Sequence, residues 1–168
     1  HIEAQLIEKG LTNVEVLTRD MNTFEAPSRF DRVVSVEMFE HMRNWETLLD
    51  RVRGWLNDEG RVFLHVFSHH RFAYPFEVQD ESDWMSAHFF SGGMMPCHDL
   101  VQNLDVPFDV EESWVVPGIH YARTAEDWLS NIEARRDRVL EIFGETYGAA
   151  QAGQWYQRWR VFFLSCAD

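Results

Sequence analysis

The chain of 168 residues carries 15 Lys and Arg against 28 Asp and Glu, a formal net charge of −13 at pH 7. This acidic balance argues against a nucleic-acid partner, because a phosphate-binding face requires clustered Lys and Arg. The 45% hydrophobic and 26% charged residues are typical of a globular chain that buries a core as one domain. Apolar runs stay short of the roughly 20 residues that cross a bilayer, so no stable membrane insertion is expected.

Two cysteines, Cys97 and Cys166, are too few for a disulfide framework, and neither belongs to a CxxC pair. A reducing, cytoplasmic compartment is therefore the default. The sequence starts at His1 rather than Met and ends inside an apolar run. We therefore expect a fragment of a longer protein.

The first elements indicate alternation of helix and strand. Residues 1–9 have the apolar spacing of a helix, and Gly10 supplies a stop. Residues 13–20 alternate as a strand does, whereas residues 30–36 are more continuously apolar, as in a buried parallel strand. The loop between these two strands is short for a crossover helix.

The next elements continue the alternation. Residues 44–60 predict an amphipathic helix ended by Gly60, and residues 61–69 predict a third strand. Helices between strands with short connections indicate an α/β fold with a parallel, doubly wound sheet. The inward side of the helix is predicted to carry Leu48, Leu49, Val52 and Trp55.

The second half is predicted to be mostly helical. We expect helices over residues 80–90 and 97–104 and a late strand over residues 108–116. The sequence thus predicts one partial domain, with core sheet and helices in residues 1–70 and a helical substrate cap in residues 71–168.

Two long helices are predicted near the end of the chain. Residues 124–148 begin with Thr124 and Asp127 at the spacing of a capping box. Residues 151–167 form a final helix dense in aromatic side chains, which are more often core than a cofactor site.

Candidate chemistry is expected at the carboxyl ends of the strands, where open α/β sheets bind their ligands. Three places satisfy this rule: Asp20, residues 37–41 and residues 65–70. In a helical turn, Glu37, Glu40 and His41 would share one face, and a carboxylate beside an imidazole favours the protonated ring. The alternative is a solvated helix start, where acids complement the helix dipole.

The histidines allow structural readings as well. His65 has apolar neighbours and could be a satisfied core histidine, whereas His69 and His70 could be exposed loop residues. A zinc hydrolase built from His41, His65 and Glu40 has no spacing signature, and HExxH is absent. We therefore expect no metal site.

Two further segments are candidates for a substrate pocket. Tyr121 follows a predicted strand and precedes a predicted helix, a typical site-facing loop, although a structural tyrosine is the alternative. Residues 89–100 combine aromatic side chains with glycines and methionines, which suits either a plastic pocket or a buried turn.

Five ordered motifs together carry a family resemblance over essentially the whole chain. The sequence resembles class I S-adenosylmethionine (SAM) methyltransferases, and more narrowly the cyclopropane-fatty-acyl-phospholipid synthase superfamily with its coclaurine-type N-methyltransferase branch. The motifs read EMFEHM, FLHVF, FFSGGMMP, HYARTAEDW and QWYQRWRVFFLSCA. The resemblance implies a Rossmann-like sheet of which this chain is the C-terminal part.

The resemblance also implies a role for each matching residue. Glu37, Glu40 and His41 match the set that orients an amine and removes its proton. In the synthase branch, Glu40, His65, Tyr121 and the backbone of Phe67 match a pocket for a bicarbonate ion that serves as base. The implied SAM-binding residues are Asp20, Met21, Val36 and Glu37, and the implied substrate or bicarbonate pocket contains Phe67, Phe90, Gly93 and Tyr121.

Position 37 distinguishes the two branches. Cyclopropane synthases carry a small residue there, so Glu37 favours N-methylation of a small amine over cyclopropanation of unsaturated lipid acyl chains in lipid biosynthesis. The family's glycine-rich SAM loop, ribose-binding acid and upstream cysteine are absent from these residues. We therefore expect residues 1–168 alone to bind SAM weakly or not at all in isothermal titration, and a non-catalytic remnant or binding module is the alternative of another class.

Overall fold

The computed structural model describes residues 1–80 and 83–168, and their packing divides the chain into two units, His1–Val110 and Glu111–Asp168. This boundary lies well beyond the predicted change from core sheet to cap helices. The single-domain organisation stays a prediction. Every helix within the described ranges is too short or too polar to cross a membrane.

The first unit is built on two parallel strands, β1 (Phe30–Val36) and β2 (Leu56–His65). β1 occupies the residues predicted for it, and the parallel pairing is also as predicted. Val36 pairs with His65, so both strands end at the same edge of the sheet. The N–H of Glu37 continues the pairing by donating to the His65 carbonyl at 2.8 Å.

Helix α2 (Trp45–Trp55) supplies most of the hydrophobic core of this unit. The four side chains predicted to face inward are all buried. Burying a large apolar side chain contributes roughly 1.5–3 kcal/mol. The packing of α2 therefore anchors the segment that joins β1 to this helix. The core cluster consists of Phe39, Trp45, Leu48, Leu49, Val52, Trp55 and Leu56.

The end of α2 differs from the prediction. The helix ends at Trp55, and the chain enters β2 at once, so Gly60 lies inside the strand. A Cβ at Gly60 would lie 2.9 Å from the carbonyl oxygen of Asn57, which shows a close backbone approach instead of a helix stop. The strand predicted over residues 61–69 accordingly starts earlier and ends at His65.

The beginning of the chain confirms the helix and refutes the strand. Helix α1 (Ile2–Glu8) is followed by Gly10 in the left-handed region with φ of 63°. Residues 13–20 pair with no strand in the described ranges, and Val14 and Leu17 are exposed. Alternation alone does not make a strand, because a strand requires a partner ladder and a buried face.

A short antiparallel pair follows β2. Strand β3 (Tyr74–Pro75) pairs with β4 (Met94–Met95), and helix α3 (Trp84–His88) lies between them in sequence. The predicted helix over residues 80–90 is therefore present in part. Its residues 81 and 82 lie outside the described residues.

The two predictions that follow are wrong. The helix expected over residues 97–104 is reduced to a 3-10 turn, Val101–Asn103. The strand expected over residues 108–116 is irregular, with most side chains exposed. In both segments the apolar residues contact a core elsewhere or face solvent, so their spacing does not report a regular element.

The second unit contains three helices, α4 (Ile119–Ala134), α5 (Arg136–Tyr147) and α6 (Ala152–Ala167). Helix α6 is as predicted, but α4 begins before the predicted capping box. The hydroxyl of Thr124 donates to the carbonyl of His120 at 3.0 Å from inside the helix. The capping-box prediction is therefore wrong, because this hydroxyl binds the preceding turn.

The aromatic side chains of α6 form the core of the second unit. Both α4 and α5 pack against this helix. Tyr147 stacks on Trp155 with ring centroids 4.0 Å apart, and Trp159 contacts both Phe162 and Phe163. The aromatics of the final helix are core here, as the sequence predicts.

Candidate active site

Glu37 occupies a strained position at the end of β1. Its φ of 51° lies in the left-handed region, which a glutamate adopts at a cost of order 1–3 kcal/mol. Its Oε1 lies 2.9 Å from Nδ1 of His65, and both side chains are about two-fifths exposed. The two atoms lie within salt-bridge distance, although the angle between them is not that of a hydrogen bond. Val36, predicted to bind cofactor, precedes Glu37 and is 56% exposed.

Glu40 is buried beside Glu37. It lies in the 3-10 turn Phe39–His41 and is 1% exposed. Burial raises the pKa of Glu40 from 4.5 to about 7, a hydrogen bond from its own backbone lowers it, and the charge and hydrogen bond of Glu37 raise it further. Its Oε2 has no hydrogen-bond partner within the described part of the chain. Glu37 and Glu40 therefore act as a carboxyl pair in which one member readily holds a proton near neutral pH.

His41 is exposed and stacks on an aromatic side chain. Its ring centroid lies 5.8 Å from that of Phe90. Phe90 also contacts Phe67 at 5.5 Å and Phe76 at 4.9 Å. We call Phe67, Phe76 and Phe90 the aromatic wall. The imidazole paired with a carboxylate is thus that of His65, whereas the sequence placed this pairing at Glu40 and His41.

Gly93, next to the aromatic wall, packs closely against the turn that carries Glu40. A Cβ at this position would lie 2.3 Å from the carbonyl oxygen of Glu40 and 3.0 Å from Cα of His41. No side chain fits there without displacing the backbone, so a glycine is required. Of the predicted pocket residues, Gly93 therefore packs against the turn that carries Glu40 and His41, Phe90 stacks on His41, and Phe67 contacts Phe90.

Asp20 and Met21 form a turn that reaches the same region. Oδ1 of Asp20 accepts hydrogen bonds from the backbone and side-chain nitrogens of Asn22 at 2.9 and 3.0 Å. Oδ1 of Asn22 accepts one from Asn44, the residue before α2, at 3.1 Å. Met21 packs against the core while Asp20 is exposed. This turn therefore lies beside the segment that joins β1 to α2.

Tyr121 belongs to the second unit and lies inside α4, not in a loop as predicted. Its ring contacts Trp128 with centroids 6.2 Å apart. Burial raises the pKa of the Cys166 thiol, and a hydrogen bond with Tyr121 opposes the rise. The part of Tyr121 in a bicarbonate pocket stays a prediction.

His69 has a structural contact that the sequence did not indicate. Its Nδ1 accepts hydrogen bonds from the backbone N–H groups of Arg71 and Phe72 at 3.1 and 2.9 Å. The imidazole therefore holds the turn after β2. Across the described residues, no group of three His, Cys, Asp or Glu side chains is arranged to hold a metal ion.

Sequence reasoning missed Arg43 and Phe76. Arg43 donates to the carbonyls of Gly93 and Phe76, and Phe76 belongs to the aromatic wall. The one sequence signal was a lone cation three residues after Glu40. That signal does not reveal partners 33 and 50 residues away.

Residues 2–168 match the protein family described as mycolic acid cyclopropane synthetase. The chain is similar to (S)-coclaurine N-methyltransferase of Thalictrum flavum subsp. glaucum, with 34% identity over 98% of this chain and 46% of that protein. Its likeness to the Papaver somniferum (S)-coclaurine N-methyltransferase is 33% identity over 100% of this chain and 49% of that protein. The chain thus spans about half the length of these curated relatives.

A solved structure has the same fold. The crystal structure of coclaurine N-methyltransferase bound to N-methylheliamine and SAH matches 99% of this chain and 49% of its own, with a TM-score of 0.88 and 32% identity. The mixed α/β fold expected from the sequence is thereby confirmed.

Proposed function

We propose that the protein transfers a methyl group from SAM to the nitrogen of a small amine, because the chain, which belongs to the mycolic acid cyclopropane synthetase family, is similar to two (S)-coclaurine N-methyltransferases. Its fold is that of a class I methyltransferase. The single observation that carries the choice of an amine is the contact of Glu37 with His65 beside the buried Glu40.

The charge of this edge suits a cationic acceptor. An amine is protonated near neutral pH, and the carboxylate of Glu37 attracts the ammonium form. The aromatic wall adds ring faces that favour a cation nearby. Because Glu40 is buried and its pKa is about 7, the carboxyl pair need not carry two full negative charges at once.

The protein must also remove a proton, because only the neutral amine is a nucleophile. The ammonium N–H loses its proton to the carboxylate of Glu37, whose Oε1 lies 2.9 Å from Nδ1 of His65. The neutral amine would then be the nucleophile for the methyl group that bound SAM would supply, with S-adenosylhomocysteine (SAH) as the leaving group. The strained backbone of Glu37 fixes the carboxylate at the end of β1, which helps hold the acceptor in line.

Three residues would hold the cofactor. The exposed carboxylate of Asp20 can accept a hydrogen bond from the adenine amine, while Met21 and Val36 offer apolar contact. The link from Asn22 to Asn44 supports this fit, because it brings the Asp20 turn to the segment after β1. When bound, SAM supplies an electrophilic methyl group on a positively charged sulfonium. The neighbour crystallised with SAH, the product left after methyl transfer, supports the same cofactor.

Cyclopropanation of a lipid acyl chain is the second candidate, favoured by the name of the matching family. It requires bicarbonate at Glu40, His65, Tyr121 and the backbone of Phe67. In this chain Nδ1 of His65 already contacts the carboxylate of Glu37. A bicarbonate anion there would meet a second negative charge, and the like charges disfavour its binding.

The test uses the natural full-length chain with methyl-labelled SAM. Label is expected in members of a panel of small primary and secondary amines, at a rate independent of added bicarbonate. Vesicles of unsaturated phospholipid are the competing acceptor. Label found only in acyl chains, and dependent on bicarbonate, overturns the proposal in favour of the synthase. Label in neither acceptor supports a non-catalytic remnant or binding module.

The proposal includes two further expectations, one about cellular location and one about the substrate cap. Two cysteines are too few for a disulfide framework, which favours a cytoplasmic location, and residues 71–168 are proposed to contribute the substrate cap. Fractionation of the natural host followed by immunoblotting tests the location, and recovery in a membrane or secreted fraction contradicts it.

A further inference from the structure

Arg43 joins two segments that are far apart in sequence. Its Nε donates to the carbonyl oxygen of Gly93 at 3.1 Å, and its Nη2 donates to the carbonyl oxygen of Phe76 at 2.7 Å. The Phe76 N–H donates to the same Gly93 carbonyl at 3.0 Å. The guanidinium therefore donates two hydrogen bonds at the end of the β3–β4 pair, and the Phe76 N–H adds a third to one of the same two carbonyls.

The segment that Arg43 holds is the one that lies against the backbone of the turn carrying Glu40 and His41. Gly93 lies against the Glu40 carbonyl so closely that a Cβ would reach within 2.3 Å of it. The Gly93 N–H donates to the Phe90 carbonyl at 3.1 Å, so the position of Gly93 fixes Phe90. Phe90 in turn stacks on the imidazole of His41.

Arg43 and Glu40 lie on the same short stretch of chain after β1. The Arg43 guanidinium holds Gly93, and Gly93 holds Phe90. Because Arg43 follows His41 closely in the chain, these contacts keep the Phe90 ring stacked on the His41 ring. Lysine is a poor substitute, since its ammonium lacks the planar fork that serves two carbonyls at fixed geometry.

We propose that Arg43 is a positioning residue, which locks the β3–β4 pair onto the Glu40–His41 turn and so holds the aromatic wall against the acceptor site. The inference rests on the proposed function of that site. Arg43 acts through Gly93 and Phe90 and is not itself expected to touch the reacting atoms.

The first experiment is independent of catalysis. NMR of the histidine rings in the natural full-length chain reports the stacking of His41 on Phe90, with the signal assigned by its loss in His41→Gln. In Arg43→Gln the His41 ring signals are expected to move toward those of a histidine that is not stacked on an aromatic ring. Gly93→Ala, which keeps the guanidinium but displaces the same segment through a clash with the Glu40 carbonyl, is expected to move them in the same direction.

Arg51→Gln is the matched control. Arg51 also donates to a backbone carbonyl, that of Phe24 at 2.6 Å, but away from the aromatic wall. Its substitution should leave the His41 signals in place. Unchanged His41 signals in Arg43→Gln, in a variant whose other resonances remain dispersed, overturn the inference whatever the activity.

The second experiment measures methyl transfer. Arg43→Gln is expected to lower kcat for the amine by about 10- to 100-fold with KM for SAM unchanged, since small misplacements near reacting atoms have large effects on rate. Arg43→Lys should restore part of this loss. If the unsubstituted protein methylates no amine, the proposed function fails while the NMR result still decides the inference. If kcat is unchanged although His41 has moved, the positioning role is wrong.

Discussion

The two units of the chain differ in how distant residues meet. In the first unit, Glu37 and His65 come from different strands and meet because parallel strands end at one edge. In the second unit, neighbouring aromatic rings such as Tyr147 and Trp155 belong to successive helices joined by a short turn. The comparison teaches that candidate chemistry lies where parallel strand pairing sets the geometry, whereas the helical unit is ordered by side-chain packing of α4 and α5 on α6.

The largest expected effect is on activity in the first unit. Glu37→Ala in the natural full-length chain removes both the contact with His65 and the charge that attracts an ammonium ion. We expect amine methylation to fall about 10²- to 10⁴-fold, the range typical of a general acid–base group. Initial rates with labelled SAM measure the loss.

The control for Glu37→Ala is Asp50→Ala. Asp50 is an exposed acid on α2, so its substitution makes the same change in net charge away from the edge. Rates within a few-fold of the unsubstituted protein are expected. An equal loss in both variants would contradict a specific role for Glu37.

A large effect on stability is expected in the second unit. Phe162 on α6 is 3% exposed, and truncating such a ring costs about 3–5 kcal/mol. Phe162→Ala should lower the free energy of unfolding by that amount in urea titrations, whereas Val161→Ala, at a neighbour that is 60% exposed, should change it by less than about 0.5 kcal/mol. Similar effects of the two substitutions would refute the described packing of α6.

An intermediate effect is a pH dependence of the free energy of unfolding, which we expect from Glu40 in the first unit. The pKa of Glu40 rises from 4.5 to about 7 on folding, so the folded state binds a proton that the unfolded state releases between these values. The stabilisation that the raised pKa of Glu40 provides is therefore fully present below pH 4.5 and is lost as the pH rises through 7. At roughly 1.4 kcal/mol per pKa unit, the loss is on the order of 3 kcal/mol.

Glu40→Gln should remove this dependence. Urea unfolding at pH 5 and pH 8 measures it, and the difference between the two pH values should be smaller in Glu40→Gln than in the unsubstituted protein. The same pH dependence in both proteins would contradict a raised pKa at Glu40.

The smallest effect tests a helix boundary. Thr124 lies inside α4 and donates to the carbonyl of His120, so it caps no helix start. Thr124→Ala should be within about 0.5 kcal/mol of neutral, because alanine is the better residue in a helix interior. A capping role would instead cost about 1 kcal/mol in the free energy of unfolding.

What the sequence could predict follows the same division. Strand β1 and helices α1 and α6 were predictable because local periodicity and end signals decide them. The strands expected over residues 13–20 and 108–116 failed because pairing partners are not visible in a local pattern.

The site shows the same limit at the level of single residues. That Glu37, Glu40 and His65 lie at a strand edge was predictable from the position of the strands. That Glu37 pairs with His65, and that Arg43 reaches Gly93, depends on register and on contacts across 28 and 50 positions. Such contacts leave no periodic signal, so the sequence assigned the imidazole partner to His41 instead.

The most direct test of the central claim is a double-mutant cycle between Glu37 and His65. We measure kcat/KM for amine methylation in Glu37→Gln, His65→Gln and the double variant of the natural full-length chain. If the carboxylate and the imidazole work as one unit, the double variant should lose about as much activity as the worse single variant. Losses that multiply would show independent side chains and contradict the claim that this pair forms the working site.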